Sequence, residues 1–185
     1  MSTEKQPEHR KRNLLLSARI SQNAVKEIIQ EIFEINYDDD KKEEIYKDWE
    51  REPIRLFINS YGGSLYDGLA LVDIIKRSKT PVHTVCIGSC MSMALWVWLS
   101  GVKRFVGEAA TLMFHDISLF AVDKTEGIKQ ALNETIRLQE MLIAEVVGRS
   151  MVKEETLRDY ISRKAEWYIP ADEAITLKLA DKYYK

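Results

Sequence analysis

A serine, a histidine and a glycine pair are the residues of this chain whose types and spacing fit one reaction, acyl transfer. The serine is Ser92, within Gly88-Ser89-Cys90-Met91-Ser92-Met93-Ala94. The small residues before it read as a strand that breaks sharply, and the apolar residues after it as a helix that starts at once. A hydroxyl at that junction lies beside backbone N–H groups that have no intrahelical acceptor, at the positive end of a helix dipole. Serine is a poor nucleophile near neutrality until a base removes its proton. Imidazole, with an ordinary pKa of about 6.5, suits that task. His115 closes the apolar run Leu112-Met113-Phe114-His115 and is the candidate base. Charge developing on a carbonyl oxygen needs donors fixed in advance, and losing one costs about a hundredfold or more in rate. The Gly62-Gly63 pair in Asn59-Ser60-Tyr61-Gly62-Gly63 offers a backbone that a substrate can approach closely. Other roles are open to these residues. Ser92 also fits a plain helix N-cap, His115 a core histidine, and Cys90 a thiol nucleophile near the same turn. His83 falls inside a strand and His9 in the polar terminus.

These side chains need elements to position them. Residues 13–20 form a short apolar run and read as a first strand. Ser21 caps a helix with Ala24, Val25, Ile28, Ile29, Ile32 and Phe33 at helical spacing. The charge block 38–44 reads as a solvated loop or frayed helix end; it lacks the glycine and late glutamate of a calcium loop. Residues 54–58 form a strand entering the glycine pair, and Ser64 caps the helix of Leu65, Leu69, Val72 and Ile75. Pro81 starts a buried strand, 82–87. Residues 93–99 are apolar on all sides, which predicts a central buried helix. Residues 104–106 and 111–115 are two further strands. The strand-helix rhythm predicts a mostly parallel sheet covered by helices. Residues 124–147 form one long helical pattern with two apolar sides. One carries Ile128, Ala131, Thr135, Leu138, Leu142 and Val146; the other carries Leu132, Ile136, Ile143 and Val147. Two sides need two partners, the chain's own domain and a neighbouring subunit. A small helix over 152–161 follows, and Pro170 opens the helix of Ala171-Asp172-Glu173-Ala174.

Composition narrows the class. The chain has 185 residues, 45% hydrophobic and 30% charged, which is enough for one globular domain with a real core. A formal net charge of -2 gives no reason to expect nucleic acid or an anionic membrane as partner. The longest apolar stretch, 91–99, is too short to span a bilayer. Residues 1–12 read as a polar tail, including the basic run His9-Arg10-Lys11-Arg12, with no apolar signal-peptide core. Residues 13–185 read as the single domain. Cys86 and Cys90 lack metal-type spacing and read as buried free thiols, which suits a reducing, cytoplasmic setting. Neither a metal nor an organic cofactor is called for.

In this order, the segments resemble the ClpP family, the proteolytic subunit of the Clp protease. The family's strand followed by Asn-Ser, a variable residue and Gly-Gly-Ser resembles Ile58-Asn59-Ser60-Tyr61-Gly62-Gly63-Ser64. Its turn into Ser-Met-Ala resembles residues 88–94, its apolar strand ending in histidine resembles 112–115, and its closing segment resembles 168–181. The resemblance covers 14–182, and four motifs in order are far more specific than any one. It implies an α/β, crotonase-type spiral of parallel strands and helices, with a long protruding handle in the region 116–150. It implies a serine endopeptidase acting on peptides or unfolded chains inside a homo-oligomer of two stacked heptameric rings, with no cofactor. Carried over residue by residue, Ser92 is the nucleophile, His115 the base, and Gly63 and Met93 supply the oxyanion amides. Substrate would lie along Gly62 and Ser118, Leu119 and Phe120 as an added strand.

Three positions depart from the family pattern. Glu166 stands where the family has the triad aspartate and is the candidate orienting acid, with Asp172, Asp159 and Asp116 as alternatives. Tyr61 replaces a proline before the glycine pair, and Asp116-Ile117-Ser118 replaces a proline and glycines after His115. In the family the N-terminal region engages an AAA+ unfoldase ring, and the short polar terminus here leaves that partnership open. Two other classes stay in play: a non-catalytic ring subunit, and an acyl-CoA enzyme of the crotonase superfamily.

Overall fold

The computed structural model describes residues 11–118 and 122–185. Seven strands form one sheet: β1 (Asn13–Leu16), β2 (Ile54–Ser60), β3 (Val82–Met91), β4 (Lys103–Val106), β5 (Thr111–Phe114), β6 (Trp167–Pro170) and β7 (Lys182–Tyr183). Among the described residues every strand pairing is parallel except β5 with β6. Helices α1 (Gln22–Ile45), α2 (Leu65–Arg77), α3 (Met93–Leu99), α4 (Thr125–Gly148), α5 (Glu154–Ser162) and α6 (Ala171–Thr176) connect them. The period-2 pattern of β2 buries Ile54, Leu56 and Ile58 on one face. As the sequence predicts, α3 is buried along its whole length. It is tied to the sheet by Thr84 Oγ1 donating to Trp98 O (2.6 Å) and Trp98 Nε1 donating to Phe105 O (2.9 Å). Among the described residues no helix is long and apolar enough to cross a membrane.

The strand that carries the site forks. Residues His83 to Cys86 of β3 pair with β4, whereas Ser89 to Met91 pair with β5. Between them the register against β2 slips: Ile58 faces Cys86, but Ser60 faces Cys90. Two residues of β2 thus oppose four of β3, a bulge that bends the end of β3 away from β4 and toward β5. Gly88 sits in that bulge, where a Cβ would lie 2.6 Å from Asn59 Oδ1. The sequence reading ended this strand at 87; the bulge extends it to Met91.

Of the two readings of the charge block 38–44, the helix end holds and the solvated loop does not: it forms the last turns of α1. Asp39 is 0% exposed. It continues the buried row Val25, Ile28, Ile32, Ile35 at helical spacing, so the fold must bury a carboxylate there. Arg12, read as part of the tail, is 6% exposed and meets it: Nη1 and Nη2 donate to the two carboxylate oxygens at 2.8 and 2.5 Å. Thr80 Oγ1 donates to the same group at 2.6 Å, and Arg12 Nη1 also reaches Glu52 O at 2.8 Å. Burial works to raise the pKa of Asp39. The hydrogen bonds from Arg12 and Thr80, with the charges of Arg12 and Arg51, outweigh it and hold the carboxyl below its usual range. This knot fastens the start of β1 and the connection before β3 to the end of α1.

Helix α4 spans nearly the predicted range. Leu138, Leu142, Ile143 and Val146 are buried, while Ile128, Leu132 and Ile136 of its N-terminal half are exposed. Lys76 Nζ donates to Glu145 Oε2 (2.5 Å) and Tyr66 Oη to Glu134 Oε1 (3.1 Å), so two points of α2 hold α4.

Candidate active site

Ser92 is the one residue between β3 and α3, and its backbone has φ 54° and ψ −127°. A non-glycine residue in that conformation costs about 1–3 kcal/mol and persists only where its surroundings impose it. They do so here. The Ser92 amide donates to Met113 O of β5 (3.0 Å), and Ser92 O accepts the first α3 bond from Leu95 N (3.0 Å). The Ser92 side chain makes no capping bond to α3, so the hydroxyl is not spent as a helix cap. It faces His115 instead, with His115 Nε2 to Ser92 Oγ at 2.7 Å. His115 follows the last residue of β5, and pairing of Met91 with Met113 sets the two strand ends side by side.

The glycine pair closes on the same point. Gly62 (φ +96°) leaves no room for a side chain: a Cβ there would stand 2.8 Å from both Met91 O and Ser92 Cβ, and 3.1 Å from Met93 N. Gly63 (φ +152°) is bridged to Ile20 through its neighbours. Ile20 N donates to Gly62 O and Ser64 N to Ile20 O, both at 2.9 Å, so this bridge does not use the Gly63 amide. Met93 is the first residue of α3, where a helix leaves amides without acceptors. Ser64 caps α2 through Asp67 N at 3.5 Å, which directs the loop back into the molecule. The arrangement can hold an oxyanion beside a hydroxyl and an imidazole. It opens on a cleft of about 520 Å³ between Ser17–Arg19 and Asn59–Gly63.

The candidate acids are placed differently. Glu166 lies one step beyond the pair Phe114–Trp167 in the antiparallel β5–β6 register, across from His115. Its carboxylate is exposed and accepts a short hydrogen bond from Tyr168 Oη rather than one from His115. Asp159 is paired with Arg163 at 2.6 Å. Asp116 and Asp172 are exposed. Among the described residues none of these carboxylates is bonded to the imidazole. Cys90 is fully buried and points back into the sheet, its Sγ 3.9 Å from Ile58 O. Burial, then the neighbouring Cys86, pushes its thiol pKa well up, which leaves it protonated and out of the cleft.

Ser118 is exposed after β5, and Leu119 and Phe120 lie outside the described residues. One residue that the sequence reading missed supports this segment. Gln139 of α4 is buried, and its Oε1 accepts from Ile117 N at 2.8 Å, two residues beyond His115. A lone amide beside Leu138 and Leu142 on the buried side of α4 was the available signal.

Comparison with known proteins gives the family and the fold. The family model for Clp protease matches residues 6–185. The ATP-dependent Clp protease proteolytic subunit 1 of Prochlorococcus marinus subsp. pastoris is 27% identical over 174 residues, which is 93% of this chain and 83% of that one. Proteolytic subunit 2 of Synechococcus sp. (strain CC9605) is 27% identical over 164 residues, 85% of this chain and 78% of its own. A solved structure of a ClpP1 mutant from Listeria monocytogenes matches with a TM-score of 0.78 over 94% of this chain and 91% of that chain. At 20% identity that likeness establishes the fold.

Proposed function

The chain belongs to the Clp protease family, and on that premise we propose that it is a serine endopeptidase with Ser92 as nucleophile and His115 as base. The observation that carries the proposal is the 2.7 Å approach of His115 Nε2 to Ser92 Oγ at a strained strand-to-helix junction. In the proposed reaction His115 Nε2 takes the Ser92 proton while Oγ attacks the peptide carbonyl carbon. The Gly63 and Met93 amides receive the oxyanion. Collapse breaks the C–N bond, and the departing amine takes the proton from His115. Water, deprotonated by the same imidazole, then hydrolyses the Ser92 ester, releases the acid product and restores the hydroxyl.

Glu166 is proposed as the group that orients His115 once its carboxylate turns from Tyr168. The β5–β6 register supports this, since cross-strand neighbours sit about 5 Å apart at Cβ. Substrate is proposed to bind as an extended strand beside Gly62, Gly63 and the 118–120 segment. The domain, 13–185, is proposed to work in a closed ring oligomer, two stacked rings in the family manner, with an ATP-driven unfoldase as partner. The relatives' names, which describe subunits of an ATP-dependent protease, and the exposed Leu132 and Ile136 on α4 support this. The buried free thiols Cys86 and Cys90 suit the cytoplasm.

A second reading, a ring subunit without activity of its own, is favoured by one observation, the engagement of Glu166 by Tyr168. Intact mass after fluorophosphonate treatment separates the two. One adduct per chain, lost in Ser92→Ala, is expected. No adduct on folded, assembled protein would replace the peptidase with the inactive subunit.

A further inference from the structure

The cleft beside Ser92 has a charged side chain on its wall. Among the described residues that line it, Arg19 is the single ionised side chain, set among Ser17, Asn59, Tyr61, Gly63 and Ser92. Its position is fixed from both sides. The next residue, Ile20, is bridged to Gly63, and a Cβ built on Gly63 would lie 2.9 Å from Arg19 Cγ. The stem of Arg19 therefore lies along the proposed oxyanion glycine, and the residue is exposed on the wall of the cleft.

The polar groups around it are already satisfied by one another. Asn59 Oδ1 accepts from Ser89 N and Ser89 Oγ at 3.2 Å each. Asn59 Nδ2 donates to Ser17 Oγ at 3.4 Å, and Ser60 Oγ donates to Ala18 O at 2.6 Å. Arg12, Arg51, Arg104 and Arg158 each face a carboxylate, whereas among the described residues none pairs with Arg19. A guanidinium is a planar fork of five donors with no acceptor, matched to a carboxylate's two oxygens. Tyr61, 80% exposed in the same cleft, adds an aromatic surface over which a peptide can lie.

We infer that Arg19 is a specificity-determining residue that selects substrates placing a carboxylate beside the Gly62-Gly63 loop. The inference rests on the proposal that Ser92 attacks a peptide in this cleft. The carboxylate has two sources, an Asp or Glu side chain near the scissile bond or the free C-terminus of a short peptide. A solvent-exposed pair of this kind gives a preference of about two- to fivefold at low salt, shrinking as ionic strength rises.

Two arms test this on the assembled, full-length protein. In the first, kcat/KM is measured on fluorogenic peptides that differ by Asp against Asn at each of three positions on either side of the cleaved bond, with free or amidated C-termini. In the second, the same peptides, labelled, are bound to Ser92→Ala and followed by fluorescence anisotropy, which needs no turnover. The expected result is an Asp preference at one position. It disappears in Arg19→Gln and inverts toward Asn in Arg19→Glu. A preference that follows the free C-terminus instead, with the same dependence on Arg19, assigns the terminal carboxylate. Cleavage with no acidic preference, or with one that Arg19→Gln leaves intact, overturns the inference while the peptidase stands. Arg19-dependent acidic preference in binding, without any cleavage, keeps Arg19 as a carboxylate-binding residue but removes the peptidase and with it the role in substrate selection. Neither cleavage nor binding removes both.

Discussion

At the scale of single residues, the 2.7 Å contact between Ser92 and His115 depends on atoms that are absent as much as on atoms present. Gly62 can lie against the junction only because it has no Cβ, and its φ of +96° strains any other residue. Gly62→Ala is expected to cost about 1–3 kcal/mol in urea unfolding. By displacing Ser92, it should lower kcat/KM on the order of a hundredfold. Retention of full activity would show that the loop does not set the geometry of Ser92. Ser92→Ala and His115→Ala should each cut peptide turnover by about a thousandfold or more, with unfolding curves close to the parent. Glu166→Ala should reduce kcat by a smaller factor than His115→Ala; unchanged kcat would reject Glu166 as the orienting acid.

At the scale of elements, the end of α1 is held by ions rather than by apolar packing. Breaking a buried pair by removing one partner costs about 3–5 kcal/mol, so Asp39→Asn should lower the urea midpoint substantially at pH 7. The pH dependence has a definite sign. Asp39 titrates below its ordinary value in the folded chain, so its contribution is complete above the unfolded pKa of about 3.9 and is lost as pH falls through the folded value. Asp181, held down against burial by Arg104, behaves the same way. Stability of the parent should therefore fall on acidification below about pH 4, and Asp39→Asn should flatten that limb. Equal slopes in the two proteins would mean that the carboxylate is not the titrating group. The sequence pattern held the clue to this knot, since Asp39 stands four residues after Ile35 on the buried row. What it lacked was Arg12, 27 residues away, without which a buried carboxylate is prohibitive.

At the scale of the whole molecule, α4 presents apolar side chains outward. Leu132 and Ile136 are 48% and 51% exposed on one side of α4, where they share a groove with Ile117, Gln139 and Ile143 of the same chain. In the proposed ring oligomer this side meets another subunit. Replacing both residues with glutamate should shift the native mass from a large assembly to smaller species and reduce peptidase activity with it. A parent protein that stays monomeric in light scattering at high concentration would count against a ring.

The chain's local pattern determined the elements and the identity of the candidate residues. Helical spacing marked α1, α2 and α4, the all-apolar run 93–99 marked the buried α3, and the abrupt Gly-to-Ser-Met-Ala change marked Ser92. Those signals are legible because they arise from neighbours one to four residues apart. The tertiary structure alone decided what lies far apart in the chain and close in space. It set the two-residue slip that sends β3 from β4 to β5, the β6 strand that runs antiparallel beside β5, the Tyr168 hydroxyl that takes the Glu166 carboxylate, and the Gln139 amide under Ile117. Register and side-chain partnership are fixed by packing across the sheet, and a linear pattern carries no distance between residues such as His115 and Glu166 until the strands that bear them are paired.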